Sequence, residues 1–257
     1  MPLISIVTPS FNSEETIERT IKSILSQNFS DFDYIIIDGG STDATCDIIK
    51  QYEPFFQGRL HWKSEADKGI YDAFNKGIKI ATGEYIWIVN SDDWIEQGAL
   101  TLISKIISSY DSEEKYPIIA GSMNFCSKEG KRLKIAKSNA KQAEHCFKRD
   151  SMGVIHPATI VPKKIYELYG LYDDRFRIIG DIDWFHRIYE KNVPILFIDD
   201  VLTNMSDGGI SNLFSYQKSV KDRWLFICKK HKNVVVRVYS LIRWTIYFYK
   251  LKFSSNK

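Results

Sequence analysis

Asp92 and Asp93 are adjacent acids that follow Tyr85-Ile86-Trp87-Ile88-Val89, five apolar residues introduced by the turn signal Thr82-Gly83. Such a β-branched and aromatic run reads as a buried strand. Two carboxylates at its carboxyl end are costly unless a cation meets them, and in open α/β sheets that edge is where ligands bind. A hard divalent ion suits the pair, because Mg2+ takes one or two carboxylates and completes its shell with phosphate oxygens and water. The same residues could do no more than cap a turn, since Asp and Ser also begin helices. Other acids recur in similar places. Asp38 ends the run Tyr34-Ile35-Ile36-Ile37, and Asp67 lies in the polar stretch Ser64–Gly69. Farther on, Asp181 stands where a helix begins, with Trp184, Phe185 and Ile188 at helical spacing behind it. An acid in that place is either a cap or a carboxylate free for other work.

The elements that must position these acids alternate. Ile4-Ser5-Ile6-Val7-Thr8 predicts a first strand, with Ser13 as the cap of a helix carrying Ile17, Ile21, Ile24 and Leu25. A second strand ends at Asp38, and a helix through Ile48, Ile49 and Tyr52 follows. A third strand near Leu60–Lys63 leads past Asp67 to a helix through Ile70, Phe74 and Ile78. Alternation of this kind implies an α/β fold with right-handed parallel crossovers, which bring Asp38, Asp67, Asp92 and Asp93 to one edge. Ile118–Ser122 and Ile195–Ile198 read as further strands, Gly153–Val161 as a turn followed by a strand, and Lys128–Lys141 as a polar, basic excursion, a hairpin followed by a mobile loop.

At 257 residues, 44% hydrophobic and 26% charged, the composition is that of an ordinary globular chain. No run reaches the ~20 apolar residues of a membrane span, and the N-terminus lacks the pattern of a signal peptide. Cys46, Cys126, Cys146 and Cys228 have no metal-ligand spacing, which favours reduced thiols and a cytoplasmic location. The net charge of +3 hides an asymmetry. Residues 1–212 hold 24 Lys/Arg against 31 Asp/Glu, net −7, whereas residues 213–257 hold 11 against one, net +10. The basic tail is interleaved with aromatics but is too apolar around Val234–Trp244 for a nucleic-acid groove. It suits a helix lying on an anionic membrane surface, with a packed or dimerising helix as the alternative.

Five motifs in order carry a resemblance: Thr8-Pro9-Ser10-Phe11-Asn12, Asp38-Gly39-Gly40-Ser41-Thr42-Asp43, Asn75-Lys76-Gly77, Thr82-Gly83-Glu84-Tyr85 and Ser91-Asp92-Asp93. Together they resemble the inverting family-2 glycosyltransferases of bacterial surface-polysaccharide synthesis, closely over residues 3–110 and loosely to about 211. The resemblance implies a GT-A nucleotide-binding sandwich with a mostly parallel central sheet. It also implies a catalytic domain over residues 1–212, divided into a nucleotide-sugar half (1–110) and an acceptor half (111–212), followed by a basic helical tail over 213–257.

By the same resemblance Thr8, Pro9, Phe11, Asn12, Asp38, Asp67 and Asn75 attend the donor nucleotide, with Asp92 on the ribose and Asp93 binding Mg2+ or Mn2+ on the diphosphate. One departure is that Gly39 stands where many relatives carry a second acid that touches the base. Asp181 becomes the general base that inversion requires, Asp183 and Trp184 orient the acceptor, His156 faces the acceptor side, and Gly208-Gly209 closes over the diphosphate. The expected partners are a nucleotide sugar, first of all a UDP-sugar, a saccharide or lipid-linked saccharide acceptor, and a membrane's inner face. A sugar-phosphate nucleotidyltransferase would need a glycine-rich basic loop after the first strand, and Pro9-Ser10-Phe11-Asn12 is not one. A non-catalytic nucleotide-sugar-binding protein would have no use for a base at Asp181.

Overall fold

The computed structural model describes residues 1–110, 117–206 and 216–254. Its N-terminal half is a parallel sheet of β1 (Ile4–Ser10), β2 (Phe32–Asp38), β3 (Leu60–Ser64) and β4 (Tyr85–Ile88) in the order β3-β2-β1-β4. The crossovers are α1 (Ile17–Leu25), α2 (Thr45–Tyr52) and α3 (Ile70–Ile80). Helices cover both faces, which is why these strands are apolar at nearly every position. Alternate residues feed separate cores: Val7, Ile35, Ile37 and Ile86 pack on the α3 side, and Ile4, Ile6, Tyr34, Ile36 and Trp87 on the α1 side. Gly77 is required here, since a Cβ on it would collide with the Val7 side chain. Register sets the edge: Ser10 lies opposite Asp38, and Asp38 opposite Ser64.

Beyond β4 the sheet becomes mixed. β8 (Thr159–Pro162) runs antiparallel to β4, then β6 (Ile118–Cys126), β9 (Ile195–Ser206) and β5 (Asp93–Ile95) complete the path, with β7 (Arg132–Ala136) as a hairpin on β6. β5 follows β4 almost at once in the chain yet stands at the far end of the strand order. The sheet therefore curls back on itself, with Asn90–Asp92 at the crease. α4 (Ala99–Ser109), α5 (Ala140–Phe147), α6 (Lys163–Tyr169) and α7 (Gly180–Tyr189) pack around it. The excursion after Lys128 is the β7 hairpin followed by α5, whose cap is Asn139 accepting from the Gln142 N–H at 2.9 Å. Ser13 does not cap α1. The helix starts at Ile17, and the Ser13 hydroxyl pairs instead with that of Ser91 at 2.8 Å.

The tail forms α8 (Tyr216–Lys230) and α9 (Val234–Ser254). The expected boundary at residue 213 does not separate two bodies. Phe226 and Ile227 of α8 are buried in the same core as Trp184 and Phe185, and Lys229 bridges Asp173 and Asp183. Segment charge alone hid this, because the partners of the basic residues are acids of the catalytic body. α9 differs: Val235, Tyr239, Ile242 and Ile246 expose 76%, 63%, 54% and 53% of their surface along one stripe. Gly208 and Gly209 lie outside the described residues. Among the described residues no helix is long and apolar enough to cross a membrane.

Candidate active site

The β1, β2 and β3 ends are tied together by Asp38. Its Oδ1 accepts from the Ser10 and Ser41 hydroxyls at 3.0 and 2.5 Å. Its Oδ2 accepts from the Ser64 hydroxyl at 2.7 Å and from the Gly40 and Ser41 N–H groups at 3.1 and 2.8 Å. Burial works to raise this carboxyl, but the donors of Ser41, Ser64 and Ser10 outweigh it and hold the group below its ordinary value. Asp38 is thus spent on shaping its own loop and has no surface to offer a nucleoside, contrary to the expected contact. The next residues zip that loop to β1: Asn12 N–H donates to Ser41 Oγ at 2.8 Å, and Asn12 Oδ1 accepts from Thr42 N–H at 2.9 Å. Thr8 and Pro9 are buried, and the Thr8 hydroxyl accepts from Tyr34. Of the expected donor-site residues on this strand end, Phe11 and Asn12 are the exposed ones.

Phe11 and Asp67 flank Gly39. A Cβ on Gly39 would lie 2.5 Å from Asp67 Oδ2 and 3.3 Å from the Phe11 ring. The carboxylate of Asp67, half-buried and fixed by the Gly69 N–H on its other oxygen at 2.8 Å, therefore occupies the space a side chain at 39 would need. Asn75 does not reach this crevice. Its amide clamps the backbone of Tyr172, donating to the carbonyl at 2.8 Å and accepting from the N–H at 3.0 Å.

At the crease, burial raises Asp92, and it raises Asp93 well above the ordinary range with the Asp92 charge adding to it. Asp92 remains half-exposed, whereas Asp93 is fully enclosed, with Oδ2 accepting from Asn90 Nδ2 at 3.1 Å and Oδ1 left without a partner among the described residues. Asp92 is the more exposed carboxylate of the pair, with Asp93 enclosed beside it. Arg19 of α1, not singled out from the sequence, donates to the Asp92 carbonyl and the Ser206 hydroxyl, both at 3.2 Å, and stacks on Trp94. No three side chains of metal-ligating type gather among the described residues. A divalent ion nevertheless fits: an acid pair that burial makes costly to ionise, with an unpartnered buried oxygen, is relieved by a cation.

Asp181 occupies the first turn of α7, beside Tyr71 of α3. Its Oδ1 accepts from the Ile182 N–H at 2.8 Å and from the Tyr71 hydroxyl at 3.2 Å, and Oδ2 has no hydrogen-bond partner among the described residues. Burial raises this carboxyl to about 6, against the opposing hydrogen bonds of Ile182 and Tyr71. Gly180 permits the approach, since a Cβ there would press on the Tyr71 ring at 2.8 Å. Such a group is ionised at neutral pH yet basic enough to take a proton.

Of three expected acceptor-side residues, two are buried and the third is half-buried. Trp184 is fully enclosed, with its indole N–H donating to the Gly170 carbonyl at 2.8 Å, so its face cannot receive a sugar. Asp183 is buried in an ion pair with Lys229 at 2.7 Å. His156 is stacked on Phe74, shares a hydrogen bond with the Tyr172 hydroxyl at 3.0 Å, and is brought down to about 4 by burial.

The curled α/β sheet with an acid-lined crevice at its strand ends is a GT-A fold, the architecture of nucleotide-dependent sugar transferases. S. aureus TarS residues 1–349, solved with UDP-GlcNAc, superposes with a TM-score of 0.69 at 17% identity, over 93% of this chain and 69% of that one. Against another TarS structure this chain spans 41% of the protein. The mannosyltransferase PcManGT of Pyrobaculum calidifontis, solved with GDP-Man and Mn2+, gives 0.63 at 13% identity, over 93% of this chain and 68% of that one. In sequence, the PGL/p-HBAD biosynthesis glycosyltransferase of Mycobacterium bovis is 27% identical across 82% of this chain and 80% of its own length. The putative teichuronic acid biosynthesis glycosyltransferase TuaG of Bacillus subtilis is 41% identical across 36% of each. The family model "Glycosyl transferase family 2" matches residues 5–169, and the chain belongs to that family. It is a glycosyltransferase.

Proposed function

We propose that the protein moves a sugar, with inversion, from a UDP-sugar to a hydroxyl of a lipid-linked saccharide at a membrane surface. The observation that carries this reading is the state of Asp181, a half-buried carboxyl raised to about 6 with one oxygen unengaged among the described residues. Asp181 takes the proton of the acceptor hydroxyl, the hydroxyl oxygen bonds to the anomeric carbon, and the bond from that carbon to the nucleoside diphosphate breaks. A single displacement of this kind inverts the centre. Mg2+ or Mn2+, when bound, neutralises the charge that develops on the departing diphosphate. Asp92 would hold it, with the enclosed Asp93 behind. Phe11 and Asp67 would meet the nucleobase. The neighbour solved with UDP-GlcNAc favours a uridine donor, and the one solved with GDP-Man and Mn2+ favours a divalent ion. The names of the sequence relatives favour an acceptor in cell-envelope glycan or glycolipid synthesis.

The membrane part rests on α9, whose exposed stripe of Val235, Tyr239, Ile242 and Ile246 belongs to a tail of net charge +10. Apolar burial and attraction to anionic lipid act together on such a helix. The test is a panel of UDP- and GDP-sugars with and without lipid-diphosphate-saccharide acceptors, reading the anomeric configuration of the product. Retention of configuration, or turnover undiminished in excess chelator, would overturn the mechanism. Because α8 belongs to the core, the membrane test should shorten the chain after Asn233 rather than at 212. The shortened protein is expected to stay folded and to lose salt-sensitive sedimentation with anionic vesicles. Equal sedimentation of both forms would make α9 a contact between protein copies instead.

A further inference from the structure

The start of α7, which carries Asp181, is not capped by the chain that leads into it, for Ile179 at the cap position supplies no side-chain acceptor. Instead, the turn that leads into the helix is held from α8. Asp222 Oδ2 accepts from three successive backbone N–H groups, those of Arg177, Ile178 and Ile179, at 2.8, 2.6 and 3.2 Å. The residue is 4% exposed. A carboxylate against a row of N–H groups at a helix N-terminus is a favourable arrangement, since the dipole and the donors both meet negative charge. The carbonyl of Ile178, the middle residue of the three, accepts from the Tyr71 hydroxyl at 2.6 Å, and the same hydroxyl reaches Asp181 Oδ1 at 3.2 Å. One continuous set of contacts thus runs from α8 through the 177–179 turn and Tyr71 to Asp181.

We infer that Asp222 is a positioning residue for the catalytic base, so that the basic tail helix is a working part of the transferase centre and not an appendage to it. The inference rests on the reading of Asp181 as the base. By holding the 177–179 turn, Asp222 fixes where α7 begins and where Tyr71 must place its hydroxyl. Its charge acts on Asp181 as well. Among the described residues, the groups facing Asp181 are the Tyr71 hydroxyl from α3, Tyr172 from the segment before α7, the Ile182 N–H from α7 itself, and Asp222 from α8. Among these the negative Asp222 works with burial to keep the proton on, while Tyr71 and Ile182 work to release it. α8 has other anchors: Lys229 on Asp173 and Asp183, Lys230 on Asp150, and Arg223 on the Asp150 carbonyl. Loss of Asp222 alone therefore leaves the helix docked.

The test uses the full-length protein and three variants, with pH profiles of kcat and donor KM measured for each. Asp181→Asn is the control on the underlying reading, and parental turnover there would refute the base assignment itself. Asp222→Ala leaves three N–H groups without an acceptor, so the plateau kcat should fall by about tenfold or more while donor KM stays put. Asp222→Asn restores an acceptor of the same shape without the charge. It should recover most of that loss and move the acid limb of kcat to lower pH, by roughly half a unit, because Asp181 then gives up its proton more readily. If Asp181→Asn is inactive but Asp222→Ala keeps the parental plateau, or Asp222→Asn leaves the acid limb where it was, the inference fails. Should Asp222→Ala not fold, the limb position in Asp222→Asn decides alone.

Discussion

Asp38 and Asp181 are both largely withdrawn from water, yet their surroundings drive them in opposite directions. Asp38 accepts from three hydroxyls and two backbone N–H groups, with the Cys46 thiol beside it at 3.5 Å, and it stays below its ordinary value despite complete burial. Among the described residues Asp181 has two donors, both on one oxygen, and burial lifts it to about 6. Burial alone does not decide what a carboxylate becomes; the count of donors does. A fully satisfied carboxylate is a structural anion with nothing left to give a substrate. An under-satisfied one keeps a lone pair in reserve, and that is what a base needs.

The largest effect expected from this contrast is on turnover. Asp181→Asn should lower kcat by ~10²–10⁴, the usual worth of a positioned base, with donor affinity near the parent's because the nucleotide contacts lie elsewhere. The variant should also melt at or above the parent's temperature at neutral pH. A carboxyl raised in the folded state disfavours folding once it ionises, so the cost is present above about 6 and absent below the ordinary carboxylate value. Any gain should vanish on acidification, and a gain that survives at pH 3 would contradict the assigned direction.

Asp38→Ala is the reverse experiment. It strands the hydroxyls of Ser10, Ser41 and Ser64 and two N–H groups, and it should cost on the order of 3 kcal/mol in stability. For a carboxyl lowered by folding, the stabilisation is present above the unfolded value and is lost as pH falls through the folded one. Parent and variant should therefore converge in acid during denaturant titrations, and a parallel offset across the whole range would show that volume, not charge, made the difference. The smallest effect should come from Tyr71→Phe. Removing one of two donors pushes Asp181 further up, so the acid limb of kcat should rise by about one unit or less. A limb that moves down would mean that Tyr71 favours the protonated form.

The sequence made the first of these regions far more legible than the second. Strand–helix alternation and acids at strand ends are local patterns, and the parallel crossovers turn them directly into one edge. What the acids do there is not local. The partners that consume Asp38 include Ser10 and Ser64, 28 and 26 residues away. Trp184 at helical spacing looked available to a sugar, but Tyr166, Tyr172 and the Gly170 carbonyl close around it. Asp222 is the single acid of a basic tail and no local pattern marks it, because its three donors lie more than 40 residues upstream. Arg19 was passed over for the same reason, since the β4–β5 crease that brings Asp92 to it follows from a strand order no pattern announced.

The crowding of residues 39 and 67 also bears on how this chain can change. Gly39 is not held in a left-handed conformation, so it is the Asp67 carboxylate first, and the Phe11 ring next to it, that bar a side chain there. The two positions share one volume and cannot be exchanged independently. A Gly39→Asp substitution made alone should clash, and shortening Asp67 alone should leave a gap at the mouth of the crevice; made together they would shift the acid from one strand end to its neighbour. Such pairs are strongly non-additive, so a search for altered nucleobase preference that varies one site at a time would climb a path blocked at the first step, while paired libraries at 39 and 67 would cross it.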